Sequence, residues 1–181
     1  MKKTIMLSVV FAVLVCVQGF SQNWIVGGEV GLSFGSTKRG GTTSTSSFTL
    51  SPMVGYVISD KIDVGGRLIL ERRDIGITDS TEFGLAAWGR YHLLSLGSLE
   101  LRALGDIGFS NTSYSSGSDE KKFWIAVLPN FEYRFTDRVS IYTNIGLVKF
   151  ERSWRNSNYS DTDFSLGVST KDISIGFFLR F

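Results

Sequence analysis

The C-terminal end of the chain alternates between large apolar residues and residues of mixed character. The apolar positions are Ile173, Ile175, Phe177, Leu179 and Phe181, and the only charge between them is Arg180. A period of two is the pattern of a β-strand whose two faces meet different surroundings. A terminal strand that ends on an aromatic residue would be a sticky free edge, unless it pairs with the first strand and closes the sheet.

The same alternation predicts seven further strands in the preceding sequence. They cover 24–34, 48–58, 62–71, 81–93, 99–109, 123–135 and 139–148. The eighth strand ends the chain, and its apolar pattern leaves two interpretations of 164–168, as a continuation of this strand or as part of the preceding loop. Short connections at 59–61, 94–98 and 136–138 alternate with polar tracts, rich in Gly, Ser, Thr and charged residues, that are typical of long loops. These loops are expected at 35–47, 72–80, 110–122 and 149–163.

Two prolines and one change of parity interrupt this pattern. Pro52 and Pro129 lie inside predicted strands, where proline cannot donate a ladder hydrogen bond, so they mark bulges or missing rungs. Between Ser169 and Asp172 the apolar residues change from even to odd positions, which predicts a β-bulge in the last strand.

The apolar face of the predicted strands contains no Asp, Glu, Lys or Arg, and the charged residues lie on the opposite face. Periodicity alone fits both a soluble barrel with an apolar core and a membrane barrel with a polar lumen. For the second case, the predicted lumen residues are Glu29, Asp63, Arg67, Glu71, Glu82, Arg90, His92, Glu100, Arg102, Asp106, Glu132, Arg134 and Arg180.

The aromatic residues of the apolar face discriminate between the two cases. They concentrate at the two ends of the strands, with aliphatic residues and glycines between them. At the short-turn end they are Trp24, Tyr56, Tyr91, Tyr133, Phe135 and Phe181, and at the loop end Phe34, Phe48, Phe83, Phe109 and Phe123. Two aromatic belts, with short turns at one end and long loops at the other, predict an all-β, eight-stranded, antiparallel up-and-down transmembrane barrel.

The N-terminus has the layout of a secretory signal peptide. Lys2 and Lys3 precede an apolar run that is too short for a comfortable membrane helix, and small residues lead to a cleavage position between Ser21 and Gln22. We therefore predict a signal peptide over 1–21 and one barrel domain over 22–181. Loss of Lys2 and Lys3 reduces the 19 Lys and Arg residues to 17, equal to the 17 Asp and Glu residues, which gives no support for nucleic-acid binding.

The final strand resembles the C-terminal assembly signal of bacterial outer-membrane β-barrels. The residues that carry this likeness are Ile175, Phe177, Leu179 and the terminal Phe181. The whole pattern is similar to the small OmpX and OmpA-transmembrane type of barrel, and in particular to the Bacteroidetes-type barrel-domain family. That resemblance implies a location in the bacterial outer membrane, contact with its lipid, and recognition by periplasmic chaperones and the barrel-assembly machinery.

Eight strands enclose a lumen just wide enough for side chains to fill it, so the inward charges are expected to form a network of ion pairs. The single histidine, His92, is expected to be a member of that network. No cofactor, metal site or catalytic residue is predicted, since the mature chain has no cysteine and Asp161 with Asp163, or Asp119 with Glu120, match no ordered Ca²⁺ loop. The preferred function is a structural or surface-interaction role through the loops, with an unknown ligand. The alternatives are a narrow porin-like channel and, less favoured, a lipid-modifying enzyme.

Overall fold

The fold consists of antiparallel strands. The computed structural model describes residues 23–38, 42–74, 79–115, 117, 119–145, 148–155, 159–166 and 174–181. Among these residues no helix is long and apolar enough to cross a membrane. The strands are β1 (Trp24–Lys38), β2 (Thr42–Ser59), β3 (Ile62–Asp74), β4 (Asp79–Leu96), β5 (Leu99–Tyr114), β6 (Asp119–Arg134), β7 (Val139–Asn144), β8 (Val148–Arg155), β9 (Tyr159–Leu166) and β10 (Ser174–Arg180).

The ten segments form one closed eight-stranded barrel. From β1 to β6 each strand pairs with the next, β7 and β8 share the seventh position, and β9 and β10 share the eighth. β10 then pairs with β1, from Ile25 opposite Arg180 to Val30 opposite Ile175. This pairing confirms the prediction that the last strand closes the sheet on the first.

The register of the seventh strand position shifts near Pro129. β6 pairs with β7 as far as Asn130 opposite Asn144, and with β8 from Val127 opposite Val148. The register of the two ladders therefore differs by one residue, which is the signature of a bulge. The expectation for the two prolines is confirmed, because the β2–β3 ladder also lacks pairs at Ser51 and Pro52 while its register is unchanged on either side.

The predicted loops were too long. β1 continues to Lys38 and β2 starts at Thr42, while the paired strands β8 and β9, from Val148 to Leu166, include most of the tract 149–163 that was expected to be a loop. The sequence prediction failed here because Ser, Thr, Gly and charged residues are also typical of loops. Each hairpin nevertheless continues its backbone ladder past the apolar band, where the polar side chains meet water.

The two faces of the barrel separate as predicted. Large hydrophobic side chains, among them Leu85, Val127 and Phe177, point outward and are exposed, whereas the charged residues between the aromatic belts lie inside. The exposed aromatic residues mark both ends of this apolar band. At the turn end they include Tyr56, Tyr91, Tyr133, Phe135 and Phe181, and at the loop end Phe48, Phe83 and Phe109.

Some predictions fall on residues outside the described ranges. They are the signal peptide over 1–21, the cleavage position between Ser21 and Gln22, and the parity change between Ser169 and Asp172. Of the residues of the proposed assembly signal, Ile175, Phe177 and Phe181 lie exposed on the outward face, and Leu179 is partly buried.

The outward face can be tested by placing a charge at two depths. Val127 lies midway along the apolar part of β6, while Val139 begins β7 at the turn end, and both are exposed. We expect Val127→Arg to lower the free energy of unfolding in lipid vesicles by about 2–4 kcal/mol and Val139→Arg by about 0–1 kcal/mol. Equal losses in urea titrations of the two variants would contradict a membrane-embedded exterior.

Candidate functional site

The lumen of the barrel contains all of the predicted inward charges, arranged in layers from the turn end to the loop end. Their strands position them because inward residues alternate with lipid-facing ones. The first layer is centred on the carboxylates of Asp63 and Glu132, which are buried in the lumen near the turn end. The second layer surrounds Glu29 and Arg67, and the third lies at the loop-end mouth.

In the first layer three arginines converge on two carboxylates. Arg90 donates from Nη2 to Asp63 Oδ2 at 2.5 Å and from Nη1 to Glu132 Oε2 at 3.0 Å. Arg102 Nη1 lies 2.7 Å from the same oxygen of Asp63, and Arg180 donates to Glu132 Oε1. Charges so deeply buried require such pairing, because an unpartnered ion inside the barrel would cost several kcal/mol.

Glu100 extends this layer towards the turn-end opening. Its Oε2 accepts from Arg102 Nε at 3.0 Å and Nη2 at 2.8 Å, and its Oε1 lies 3.0 Å from Arg134 Nη2. The paired donors of one guanidinium fix the carboxylate in orientation as well as in position. Four arginines and three carboxylates therefore link strands β3 to β6 and β10 across the lumen.

Stacked aromatic rings lie on the loop-end side of the first layer. The Arg90 guanidinium carbon is 4.1 Å from the ring centre of Phe178 and 5.5 Å from that of Trp88, and Phe178 stacks on Tyr142 at 4.3 Å. Glycines on neighbouring strands make room for these rings. A Cβ at Gly55 would collide with the Trp88 indole, and one at Gly176 would collide with Tyr142.

The second layer contains one arginine between two carboxylates. Arg67 Nη1 lies 3.2 Å from Glu29 Oε2, and its Nη2 donates to Asp106. Glu29 Oε1 also accepts from the Tyr142 hydroxyl at 3.1 Å and from Asn144 Nδ2 at 2.6 Å. Between this layer and the rings, the lumen retains a cavity of only about 10 Å³, which is the space of one water molecule.

An apolar layer of Ala86, Trp124 and Ala126 follows, and the loop-end mouth is polar again. Lys122 Nζ lies 3.1 Å from Glu82 Oε2, which also accepts from Thr112 Oγ1 at 3.1 Å. Nearby, Arg73 Nη2 donates to Glu71 at 2.6 Å. Glu71 and Glu82 thus belong to the mouth and not to the two inner networks.

His92 lies at the other opening, beside a cavity of about 660 Å³ that faces the turn end. Its Nε2 is 3.0 Å from Ser95 Oγ, and its Nδ1 is 3.7 Å from Glu100 Oε2. A serine, a histidine and a glutamate in this order invite comparison with a hydrolytic triad. However, Glu100 already accepts from Arg102 and Arg134, and its distance from Nδ1 exceeds that of a hydrogen bond.

Uncharged side chains complete the lumen, although the sequence pattern did not single them out as members of the network. They include Trp88, Tyr142, Phe178 and Asn130, whose Nδ2 donates to Asn144 Oδ1 at 2.7 Å. The signal was available, because each occupies the same strand parity as the inward charges. Parity alone assigns these aromatic residues no role, since aromatic residues are also common on the outward face.

Among the described residues, no group of three or more His, Cys, Asp or Glu side chains could hold a metal ion. The carboxylates of the two inner layers face arginines instead. The ion pairs of the two inner layers can therefore bridge the strands and obstruct the lumen.

No protein-family model and no curated protein matches the chain. Among solved structures, it is similar to neisserial surface protein A (16% identity, TM-score 0.50, covering 89% of this chain and 98% of that one). It is also similar to OprG from Pseudomonas aeruginosa (14% identity, TM-score 0.49, covering 89% and 96%). A loop-deletion mutant of OmpT from Vibrio cholerae matches at 14% identity and TM-score 0.41. The match covers 90% of this chain and 50% of the OmpT chain, so this chain spans about half of the OmpT length.

The likeness to neisserial surface protein A concerns the fold alone. The environment of the barrel is indicated by its apolar exterior. An exposed apolar band between two aromatic belts is compatible with hydrocarbon and not with water. The protein is therefore a β-barrel of the bacterial outer membrane.

Proposed function

We propose that this protein is a closed, non-catalytic barrel whose role is structural and surface-interacting, exerted through its polar extensions at the loop end. The observation that carries the proposal is the layer of Asp63, Arg90, Arg102 and Glu132, which crosses the lumen with the Trp88 and Phe178 rings stacked on it. Solute transport would require these paired side chains to separate, which leaves the loop-end surface as the part that can meet a ligand.

The polar extensions of the strands support a surface role. β5, β6 and β8 continue beyond the aromatic belt, and their ends are joined by an ion cluster. Arg155 Nη2 lies 2.7 Å from Glu120 Oε2 and 3.1 Å from the Tyr114 hydroxyl, which itself donates to Glu120 at 2.8 Å. The hairpins therefore present an ordered surface to which a ligand can bind.

The two alternatives, a narrow channel and a lipid-modifying enzyme, have less support. A channel is disfavoured by the small cavity that remains between the inner layers. Catalysis at His92 is disfavoured because Arg102 and Arg134 occupy the carboxylate that would orient the imidazole. His92 is also at the turn end, away from the outer leaflet in which glycolipid substrates lie.

The closed lumen predicts an absence of steady conductance in planar bilayers. Phe178 and Phe177 offer a matched pair, since they are adjacent in sequence and differ in direction. Phe178 points inward and is 2% exposed, whereas Phe177 points outward and is 48% exposed. We expect no stable current from the wild type or from Phe177→Ala. Phe178→Ala removes a ring from the constriction and is expected to give brief, small openings. A steady porin-like current from the wild type would contradict the proposal.

The proposal also predicts that Ser95 is unreactive. A tagged fluorophosphonate labels serines that are activated by a histidine, and we expect it to leave the refolded protein unlabelled. Labelling that disappears in Ser95→Ala and His92→Ala, but persists in Ser98→Ala in the adjoining turn, would establish an activated nucleophile and refute the non-catalytic assignment.

The loop-end cluster predicts a pH dependence that originates in Glu120. Burial acts to raise the pKa of Glu120, but the hydrogen bonds from Arg155 and Tyr114 outweigh it and lower the pKa below 4.5. Because the folded pKa is the lower one, the stabilisation is present above about pH 4.5 and is lost as the pH falls through the folded value.

Hydrogen exchange measures this dependence. We expect the protection factors of amides near the Glu120–Arg155 pair to fall below about pH 4.5 in the wild type, and to change little with pH in Glu120→Gln. Asp119→Asn removes the neighbouring exposed carboxylate and should keep the wild-type profile. A flat wild-type profile would show that Glu120 does not hold the two strands together.

A further inference from the structure

The outward face of the barrel carries its charges at one end only. Between the two aromatic belts, the outward positions of the described strands are uncharged. At the level of the loop-end belt and just beyond it, the outward positions include three cations, Arg72, Lys121 and Arg152, and three carboxylates, Asp74, Asp79 and Asp119, all of them exposed. At the turn end, Lys61 and Arg138 line the lumen opening instead of the outer wall. The cations therefore lie at the level of the outer-leaflet headgroups.

Lys121 and Arg152 are neighbours on this outer wall. Phe123 is opposite Arg152, and Lys121 is opposite Trp154, so the two cations are diagonal partners on β6 and β8. The Arg152 guanidinium carbon lies 5.4 Å from the Trp154 ring centre, which holds it beside an aromatic surface. Two further polar residues, Asn111 opposite Lys121 and Thr162 opposite Arg152, extend the patch.

Within the described part of the chain, neither cation of this patch is held in an ion pair, although the exposed Asp119 lies two residues before Lys121 on the same face. Arg72 Nη2, in comparison, lies 3.3 Å from Asp79 Oδ2. Inside the lumen, by contrast, the arginines of the inner layers are matched to carboxylates. An unmatched pair of cations beside an interfacial tryptophan fits an anionic headgroup, since guanidinium and ammonium groups bind phosphate oxygens by charge-assisted hydrogen bonds.

We propose that Lys121 and Arg152, flanked by Trp154, bind a phosphate group of a phosphorylated glycolipid in the outer leaflet. The position of the patch favours a lipid over free phosphate, because the patch borders the apolar band at the end where the outer leaflet lies. The Trp154 ring occupies the interfacial level that tryptophan favours in membrane proteins. The inference goes beyond the surface role proposed above and does not depend on whether the lumen conducts.

The experiment is native mass spectrometry of the detergent-solubilised full-length protein with diphosphoryl lipid A and with its dephosphorylated form. We expect one retained lipid A per protein and a loss of about fivefold in affinity for each cation removed, as is usual for a basic side chain at an anionic lipid surface. Lys121→Ala/Arg152→Ala is the test variant. Lys61→Ala/Arg138→Ala is the matched control, because it removes the same charges at the opposite end.

Each outcome decides the proposal. Loss of binding confined to Lys121→Ala/Arg152→Ala, with binding retained in the control and in the charge-conserving Lys121→Arg/Arg152→Lys, supports it. Equal losses in both alanine variants would show a non-specific charge effect and overturn it. Retention of the dephosphorylated lipid as well as diphosphoryl lipid A would overturn it too, since the phosphate would then contribute nothing. Because all four positions are exposed, the variants are expected to fold, and heat-modifiable gel mobility checks this.

Discussion

The pairing of β10 with β1 is the constraint on which the rest of the structure depends. In hydrocarbon a free strand edge has no water to satisfy its amides and carbonyls, so a sheet can cross a membrane only when it is closed. The closure runs from Ile25 opposite Arg180 to Val30 opposite Ile175. Once it exists, each strand has one face in lipid and one in the lumen, and every inward side chain must find its partners within a narrow tube.

The narrow tube accounts for the chemistry of the lumen. Arginine predominates in the inner layers because one guanidinium can serve two carboxylates at once, as Arg90 does for Asp63 and Glu132. Its flat shape also lets it stack on the Phe178 ring. Glycine and aromatic residues complement each other there, since Gly55 leaves the space that Trp88 occupies. Ion pairs, rings and glycines together fill the described part of the lumen with side chains.

The two ends of the barrel differ in the side chains they present to the lipid. The turn end shows apolar and aromatic residues on its outer wall and keeps Lys61 and Arg138 at the lumen opening. The loop end places Lys121 and Arg152 on the outer wall and continues into polar hairpins fastened by Glu120 and Arg155. The barrel therefore places cations on its outer wall at the loop end only. This arrangement parallels a membrane in which the outer leaflet carries phosphate charge.

The sequence by itself determined the strand count, the two faces and the two aromatic belts, because a period of two records which side of a strand meets lipid. It placed Glu29, Arg90 and Glu132 inside for the same reason, but it could not divide them into layers or show that Arg90 contacts the rings of both Trp88 and Phe178. Only the tertiary structure decided those contacts, since they depend on the relative register of strands far apart in sequence. The lengths of the hairpins were also decided there, because polar residues alone do not distinguish a loop from a ladder that continues into water.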